Sequence, residues 1–246
     1  RNSSPPCPRG DRELRRGGRL CRCPAWCANL MSMRNARVQR KTTETDVSLE
    51  IELDGRGETE IGTGIGFFDH MLTLLCGHAG FDAKLRASGD LEVDQHHTVE
   101  DVGLCLGRAL KEALGEKRGI TRFGWALLPM DEALCLVALD LSGRPHLSYQ
   151  VDLPVRLISE FDPTCVREFL QALANEGDLT LHVKSMSGEN PHHVLEAVFK
   201  GLGRMRADRE DLPVLAREIR NRLGLEQEGS AVWFAGIKAL DKLSDY

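Results

Sequence analysis

The chain has 246 residues, of which 41% are apolar and 28% charged, with a formal charge of −5. That composition excludes a disordered or collagen-like chain and leaves ample apolar mass for a buried core. No apolar run approaches the ~20 residues of a membrane span, and the mildly acidic balance argues against a nucleic-acid partner.

The charge is uneven. Residues 1–33 carry seven Arg against one Asp and one Glu, a net of +5, which leaves −10 on the other 213 residues. This leader mixes Pro, Gly, Arg and Cys without periodicity and is expected to be a disordered or non-native extension. An Arg-rich, acid-poor leader is also the composition of an organelle-targeting peptide. Cys21, Cys23 and Cys27 lack the fourth-ligand spacing of a zinc site. The remaining Cys76, Cys105, Cys135 and Cys165 stand singly among apolar residues, as small buried hydrophobes in a reducing compartment do.

Structured text begins near Val38. Val47 to Leu53 alternates with period two and predicts a half-buried strand. Asp54-Gly55 is a turn signal, with a second strand expected beyond it. Helices are expected over Phe67–Cys76, Thr98–Leu114, Val166–Leu173 and His193–Met205. Strands are expected over Phe81–Leu85, Ala133–Leu141 and Leu179–Val183. The tail, residues 207–246, reads as a charged helix from Pro213 to Leu223 followed by the apolar stretch Ala231-Val232-Trp233-Phe234. The order of strands then helices predicts α+β, with helices covering one face of each sheet.

An internal repeat sets the architecture. His96-His97-Thr98-Val99-Glu100 matches His192-His193-Val194-Leu195-Glu196 at an offset of 96, and Val102/Val198, Leu106/Leu202, Gly107/Gly203 and Arg108/Arg204 follow. Upstream, Asp69-His70-Met71-Leu72 meets Arg167-Glu168-Phe169-Leu170 at an offset of 98. Residues 34–120 and 121–206 therefore read as a duplicated unit about a pseudo-twofold axis.

The repeat carries metal chemistry. Positions i and i+4 share a helix face, so His96 with Glu100, and His192 with Glu196, each can chelate one cation. The adjacent His97 and His193 lie about 100° round the helix and must reach for another ion. Pseudo-symmetry then gives two sites: His70, His97, His192 and Glu196 in one, and His96, Glu100, Glu168 and His193 in the other. Nitrogen and oxygen donors without thiolate suit Mn, Fe, Co or Zn. A zinc protease would need His-Glu-x-x-His, whereas this chain has His-His-x-x-Glu.

At these residues the chain resembles the imidazoleglycerol-phosphate dehydratases of histidine biosynthesis, from about Arg37 to Arg206. The motifs are Gly64-Ile65-Gly66-Phe67-Phe68-Asp69-His70-Met71, Asp94-Gln95-His96-His97-Thr98-Val99-Glu100-Asp101, Ser142-Gly143-Arg144-Pro145 and His192-His193-Val194-Leu195-Glu196-Ala197-Val198-Phe199-Lys200. The resemblance implies a duplicated fold of the ribosomal protein S5 domain 2 type, each half a four-stranded sheet with two helices on one face. It implies a homo-oligomer, a 24-mer, with two Mn2+ per subunit at subunit interfaces. The implied reaction is dehydration of D-erythro-imidazole glycerol phosphate, a small phosphate ester, to imidazole acetol phosphate.

Implied catalytic residues are Glu44, His78 and Glu196, with Glu44 the acid/base candidate. Implied substrate contacts are Glu44, His70, His78, His96, His97, His192 and Lys200, with Arg122 and Arg144 on the phosphate, where a guanidinium fork fits. Glu132 fits a supporting role. The position of Glu168 is His in some relatives, and the family's Ser-Lys-Gly-type phosphate loop has no counterpart in residues 207–246. The location expected is cytoplasmic, or plastid where the leader is a transit peptide. The alternatives are a metal-binding assembly protein that has lost catalysis and a binuclear hydrolase indifferent to imidazole.

Overall fold

Alternation builds the first sheet. In β2 (Thr45–Glu52), Thr45, Val47, Leu49 and Ile51 are buried and the residues between them are not, as period two demands of a sheet wet on one face. The computed structural model describes residues 34–118, 120–153 and 157–205. The other elements of this half are β1 (Asn35–Lys41), β3 (Thr59–Gly62), α1 (Gly66–Ala79), β4 (Asp82–Gly89) and α2 (His96–Leu114). The second half runs β5 (Phe123–Met130), β6 (Ala133–Asp140), β7 (His146–Gln150), α3 (Cys165–Glu176), β8 (Thr180–Ser187) and α4 (Pro191–Arg204).

The two sheets have one topology. Their orders are β1-β2-β4-β3 and β5-β6-β8-β7, and in each the first two pairings are antiparallel and the last parallel. Register repeats as well. Val38 faces Leu49 and Leu49 faces Leu85; Ala126 faces Val137 and Val137 faces Val183, displacements of 88 (38 to 126, 49 to 137) and 98 (85 to 183). One irregularity, between Leu134 and Cys135, separates them. The expected α+β fold of duplicated four-stranded units is what the chain adopts.

Helices lie on the inner face of each sheet and meet across the halves. α1 and α2 pack on the first sheet and α3 and α4 on the second, while α1 packs on α4 and α2 on α3. The core between them holds Phe68, Phe161, Phe169 and Phe199, all fully buried. Matched glycines permit the cross-half approach. A Cβ on Gly107 would stand 2.6 Å from the Leu173 carbonyl oxygen, and one on Gly203 would stand 2.4 Å from that of Leu75. The Gly107/Gly203 match in the sequence repeat is therefore a helix-contact requirement used twice.

Helix ends also follow local chemistry. Asp69 Oδ1 accepts from the Thr63 amide (2.8 Å) and hydroxyl (2.6 Å), fixing the turn before α1, and Gly64 takes φ +81 there. Asn190 caps α4 by accepting from the His192 amide at 3.1 Å, with Pro191 in the first turn. Gly80 (φ 74) ends α1, and Asp178 (φ 48) lies at the equivalent place after α3.

Three strands were not read from sequence: β1, β5 and β7. The expected strands Phe81–Leu85 and Leu179–Val183 begin one residue later and extend to Gly89 and Ser187. All four expected helices are present, with ends moved by at most three residues. Cys76, Cys105, Cys135 and Cys165 are buried and free, and burial pushes the Cys76 thiol up to about 12. The leader, the Cys21–Cys27 cluster, the helix expected at Pro213–Leu223 and the stretch Ala231–Phe234 lie outside the described residues.

The outer sheet faces differ. A cross-strand row on the first sheet reads Arg37, Glu50, Lys84 and Glu60, and the equivalent row on the second reads Trp125, Ala138, His182 and Ser148. The next row exchanges Gln39 and Ser48 for Leu127 and Leu136. That row continues to Lys184 and Gln150, so on the second sheet the β5–β6 side is apolar and the β8–β7 side polar, where the first sheet carries charge.

Candidate metal centre

The groove between α1 and α4 gathers a donor set. His70 on α1 and His192 and Glu196 on α4 bring ligand atoms within 4.8 Å of one another; no other three His, Cys, Asp or Glu do so among the described residues. The His192 Nε2 to Glu196 Oε2 distance is 3.0 Å, and His70 Nε2 lies 4.0 Å from the same oxygen. Glu196 is 7% exposed. Its other oxygen pairs with Lys200 Nζ at 2.6 Å. Burial opposes ionisation of this carboxyl, but Lys200 and then His192 outweigh it and hold the group below the usual carboxylate range. Phe67 lies edge-on to the His192 ring, centroids 5.2 Å apart. This set of imidazoles and a desolvated carboxylate fits a divalent transition-metal ion.

His78, in the last turn of α1, faces the same helix. Burial, then the nearby Arg204 and Lys200 charges, lower its pKa. Lys200, ion-paired with Glu196 one helical turn away on α4, is also near enough for its charge to act on His78.

The pseudo-equivalent groove lies between α2 and α3. His96 Nε2 stands 3.8 Å from Glu100 Oε2. Glu168 on α3 is half-buried and pairs with Arg167 at 3.2 Å. This groove has carboxylates at two positions where the first has one carboxylate and two imidazoles.

The outlying imidazoles are held by acids: Glu132, expected in a supporting role, and Asp90, which sequence reading did not single out. His97 Nδ1 meets Asp90 at 3.0 Å, and this bond raises its pKa. His193 Nδ1 meets Glu132 at 2.7 Å, and Nε2 lies 3.6 Å from Asp131. Glu132 also accepts from the amides of Asn190 (2.9 Å) and Glu189 (3.2 Å). The His193 contact first, then the Asn190 amide, bring the Glu132 carboxyl down to about 2. His97 is oriented through Nδ1, whereas His193 is held at Nδ1 by Glu132 and also has Asn190 Nδ2 at 3.4 Å from its Nε2. Within one chain His97 does not join the His70–His192–Glu196 group.

Glu44 sits exposed at the tip of the β1–β2 hairpin. Hydrogen bonds from the Thr43 and Thr42 side chains, with a smaller pull from His97, lower its pKa. Arg122 and Arg144 are brought together elsewhere. Arg122 grips Asp140 through two nitrogens at 2.6 and 3.0 Å, and Arg144 comes within 3.9 Å of the same carboxylate. They stand at the end of β5–β6 opposite the hairpin that carries Glu132. Eight strand residues separate those ends, about 25 Å at ~3.3 Å per residue. Asp140 was missed by sequence reading, although it precedes Arg144 by four residues.

Comparison with known proteins points to one family. The family model for imidazoleglycerol-phosphate dehydratase matches residues 63–205. A relative of that name from Dinoroseobacter shibae is 55% identical over 193 residues, covering 78% of this chain and 99% of the relative. One from Xanthobacter autotrophicus is 54% identical, covering 78% and 98%. The solved imidazoleglycerol-phosphate dehydratase of Staphylococcus aureus superposes with a TM-score of 0.64 at 36% identity, covering 70% of this chain and 96% of that one. The enzyme from Pyrococcus furiosus, solved in complex with (S)-C348, gives 0.61 at 42%, covering 68% and 89%. The chain belongs to the imidazoleglycerol-phosphate dehydratase family and is a hydro-lyase.

Proposed function

We propose that the chain dehydrates D-erythro-imidazole glycerol phosphate to imidazole acetol phosphate, with two Mn2+ per subunit, in sites completed between copies of a 24-mer. The observation that carries the metal reading is the buried Glu196 carboxylate facing His70 and His192. A second copy supplies His97 to this group, and His96, Glu100, Glu168 and His193 make up the other. Bound there, a divalent cation serves as a Lewis acid and a template for the substrate's imidazole.

The chain's own residues do the rest. Lys200 keeps Glu196 ionised. Glu44 moves the proton on the carbon beside the ring. Arg122 and Arg144 grip the phosphate through their guanidinium forks. Those arginines stand about 25 Å from the Glu132–His193 end of the same chain, by strand length, too far for one small ester to touch both. That distance supports a site shared between copies, and the apolar patch of Trp125, Leu127, Leu136 and Ala138 on the outer β5–β6 face supports self-association. Residues 34–120 and 121–206 form the two halves of the catalytic unit, and deletion of residues 1–32 leaves activity intact. A cytoplasmic location fits a biosynthetic enzyme with four free buried cysteines.

The test is turnover of imidazole glycerol phosphate by purified protein with Mn2+, before and after chelation. Mn2+-dependent formation of imidazole acetol phosphate is expected. Two ions bound per chain with no turnover would overturn the catalytic reading and leave a metal-binding assembly protein.

A further inference from the structure

A polar chain runs from α2 to the hairpin that carries Glu44. Arg40 Nε donates to Asp101 Oδ1 at 2.8 Å, and the Thr45 hydroxyl donates to Asp101 Oδ2. Thr42 Oγ1 lies 3.1 Å from Thr45 Oγ1. It accepts from the amides of Glu44 (3.1 Å) and Thr45 (3.0 Å). Asp101 and Thr45 are 6% and 4% exposed. A carboxylate this deeply placed carries a desolvation penalty that its partners must offset.

The second half shows what the fold itself requires. At the repeat's offsets, Arg40 becomes Leu128, Thr42 becomes Met130, Thr45 becomes Ala133 and Asp101 becomes Ala197. Thr98, whose buried hydroxyl has no partner among the described residues, becomes Val194. The hairpin closes in the same register: Arg40 faces Val47 in one half, and Leu128 faces Cys135 in the other. Apolar packing therefore suffices to build this corner. Only the tip carboxylate is common to both, as Glu44 and Glu132.

The two carboxylates differ in how they are held. Glu132 is pinned by His193 and by two amides of the loop before α4. Glu44 is exposed, and the groups that hold its side chain, the Thr43 and Thr42 hydroxyls and its own amide, all belong to its own hairpin. Its placement thus depends on the hairpin backbone, and the polar chain ties that backbone to α2 one residue beyond Glu100. We propose that Asp101, acting through Thr45 and Thr42, is a positioning residue that sets the Glu44 carboxylate against the imidazoles heading α2.

This rests on the dehydratase reading with Glu44 as the proton-moving group. The test compares Thr45→Val, Thr45→Ser and the exchange Arg40→Leu/Thr45→Ala/Asp101→Ala, which installs the second half's residues. The exchange is expected to keep assembly mass and metal content while kcat falls about 10- to 100-fold, the scale of a misplaced reacting group, with KM within about twofold. Thr45→Val should lose kcat similarly and Thr45→Ser should restore it. Wild-type kcat in Thr45→Val or in the exchange overturns the proposal. So does failure of the exchange to assemble, or a kcat loss that Thr45→Ser does not rescue. If the wild type itself shows no dehydration, the functional reading falls, and crystal structures decide the positioning claim. A displaced Glu44 beside an unmoved α2 in Thr45→Val supports it; an unmoved hairpin overturns it.

Discussion

Replacing Gly203 by Ala tests the cross-half helix contact. In an open helix position Ala is favoured over Gly by about 1 kcal/mol. Here the added Cβ would lie 2.4 Å from the Leu75 carbonyl oxygen, 2.9 Å from His78 Cβ and 3.1 Å from the Ala79 amide nitrogen. The first of these is at least 0.6 Å inside the 3.0 Å limit that real Cβ contacts respect. The neighbour is backbone, so α4 must move off α1. Overpacking of this kind costs about 1–3 kcal/mol and outweighs the propensity gain, leaving a net loss of up to about 2 kcal/mol. For a domain of this size that lowers Tm by up to about 8 °C. The control is Gly77→Ala on α1, where a Cβ meets nothing within 4 Å and the propensity gain should raise Tm by about 2–4 °C. Paired thermal melts of the two variants provide the assay. If Gly203→Ala stabilises as much as Gly77→Ala, the close α1–α4 contact is wrong.

Other predictions follow from the site. Glu196→Gln removes the charge that faces both imidazoles and strands the Lys200 ammonium; metal analysis should find at least half the bound Mn2+ gone, and kcat should fall at least ~100-fold. In metal-free protein, the Glu132 carboxyl, held at about 2 against 4.5, contributes stability above pH 4.5 that is lost as pH falls toward 2. His193 is raised above 6.5, so its share is present below pH 6.5 and lost as pH rises through the raised value. The Tm deficit of Glu132→Gln should therefore be widest between pH 4.5 and 6.5 and narrower at pH 3 and pH 8; a pH-independent deficit would contradict this. Reassembling Arg122→Ala chains with Glu196→Gln chains should recover activity that neither parent shows, because a shared site draws its arginines and its ligands from different copies. No recovery would place both in one chain.

Several features were legible in the sequence because they are periodic or duplicated. Period two marked β2, and the paired HisHis helices with matched Gly107 and Gly203 marked the repeat. Strand β5 was missed because Trp125 and Leu127 make its outer face apolar, which erases alternation. Strand β1 buries one residue fully, Val38, and otherwise reads as charged loop. The ligand grouping of His70 with His192 and Glu196 was legible through symmetry. Of the acids that hold His97 and His193, Glu132 was expected in a supporting role, whereas Asp90 was not, since it reaches His97 from an irregular loop before α2. Nor could sequence show that α1 pairs with α4 rather than α2, because that choice is made by packing between halves.

Cations held between copies of the chain are central to the proposed dehydration. Native mass measurement combined with metal analysis, before and after chelation, tests this most directly. The expected result is a 24-mer with two Mn2+ per subunit that breaks into smaller species when the metal is withdrawn. An active monomer, or an assembly whose mass and turnover survive complete metal removal, would contradict it.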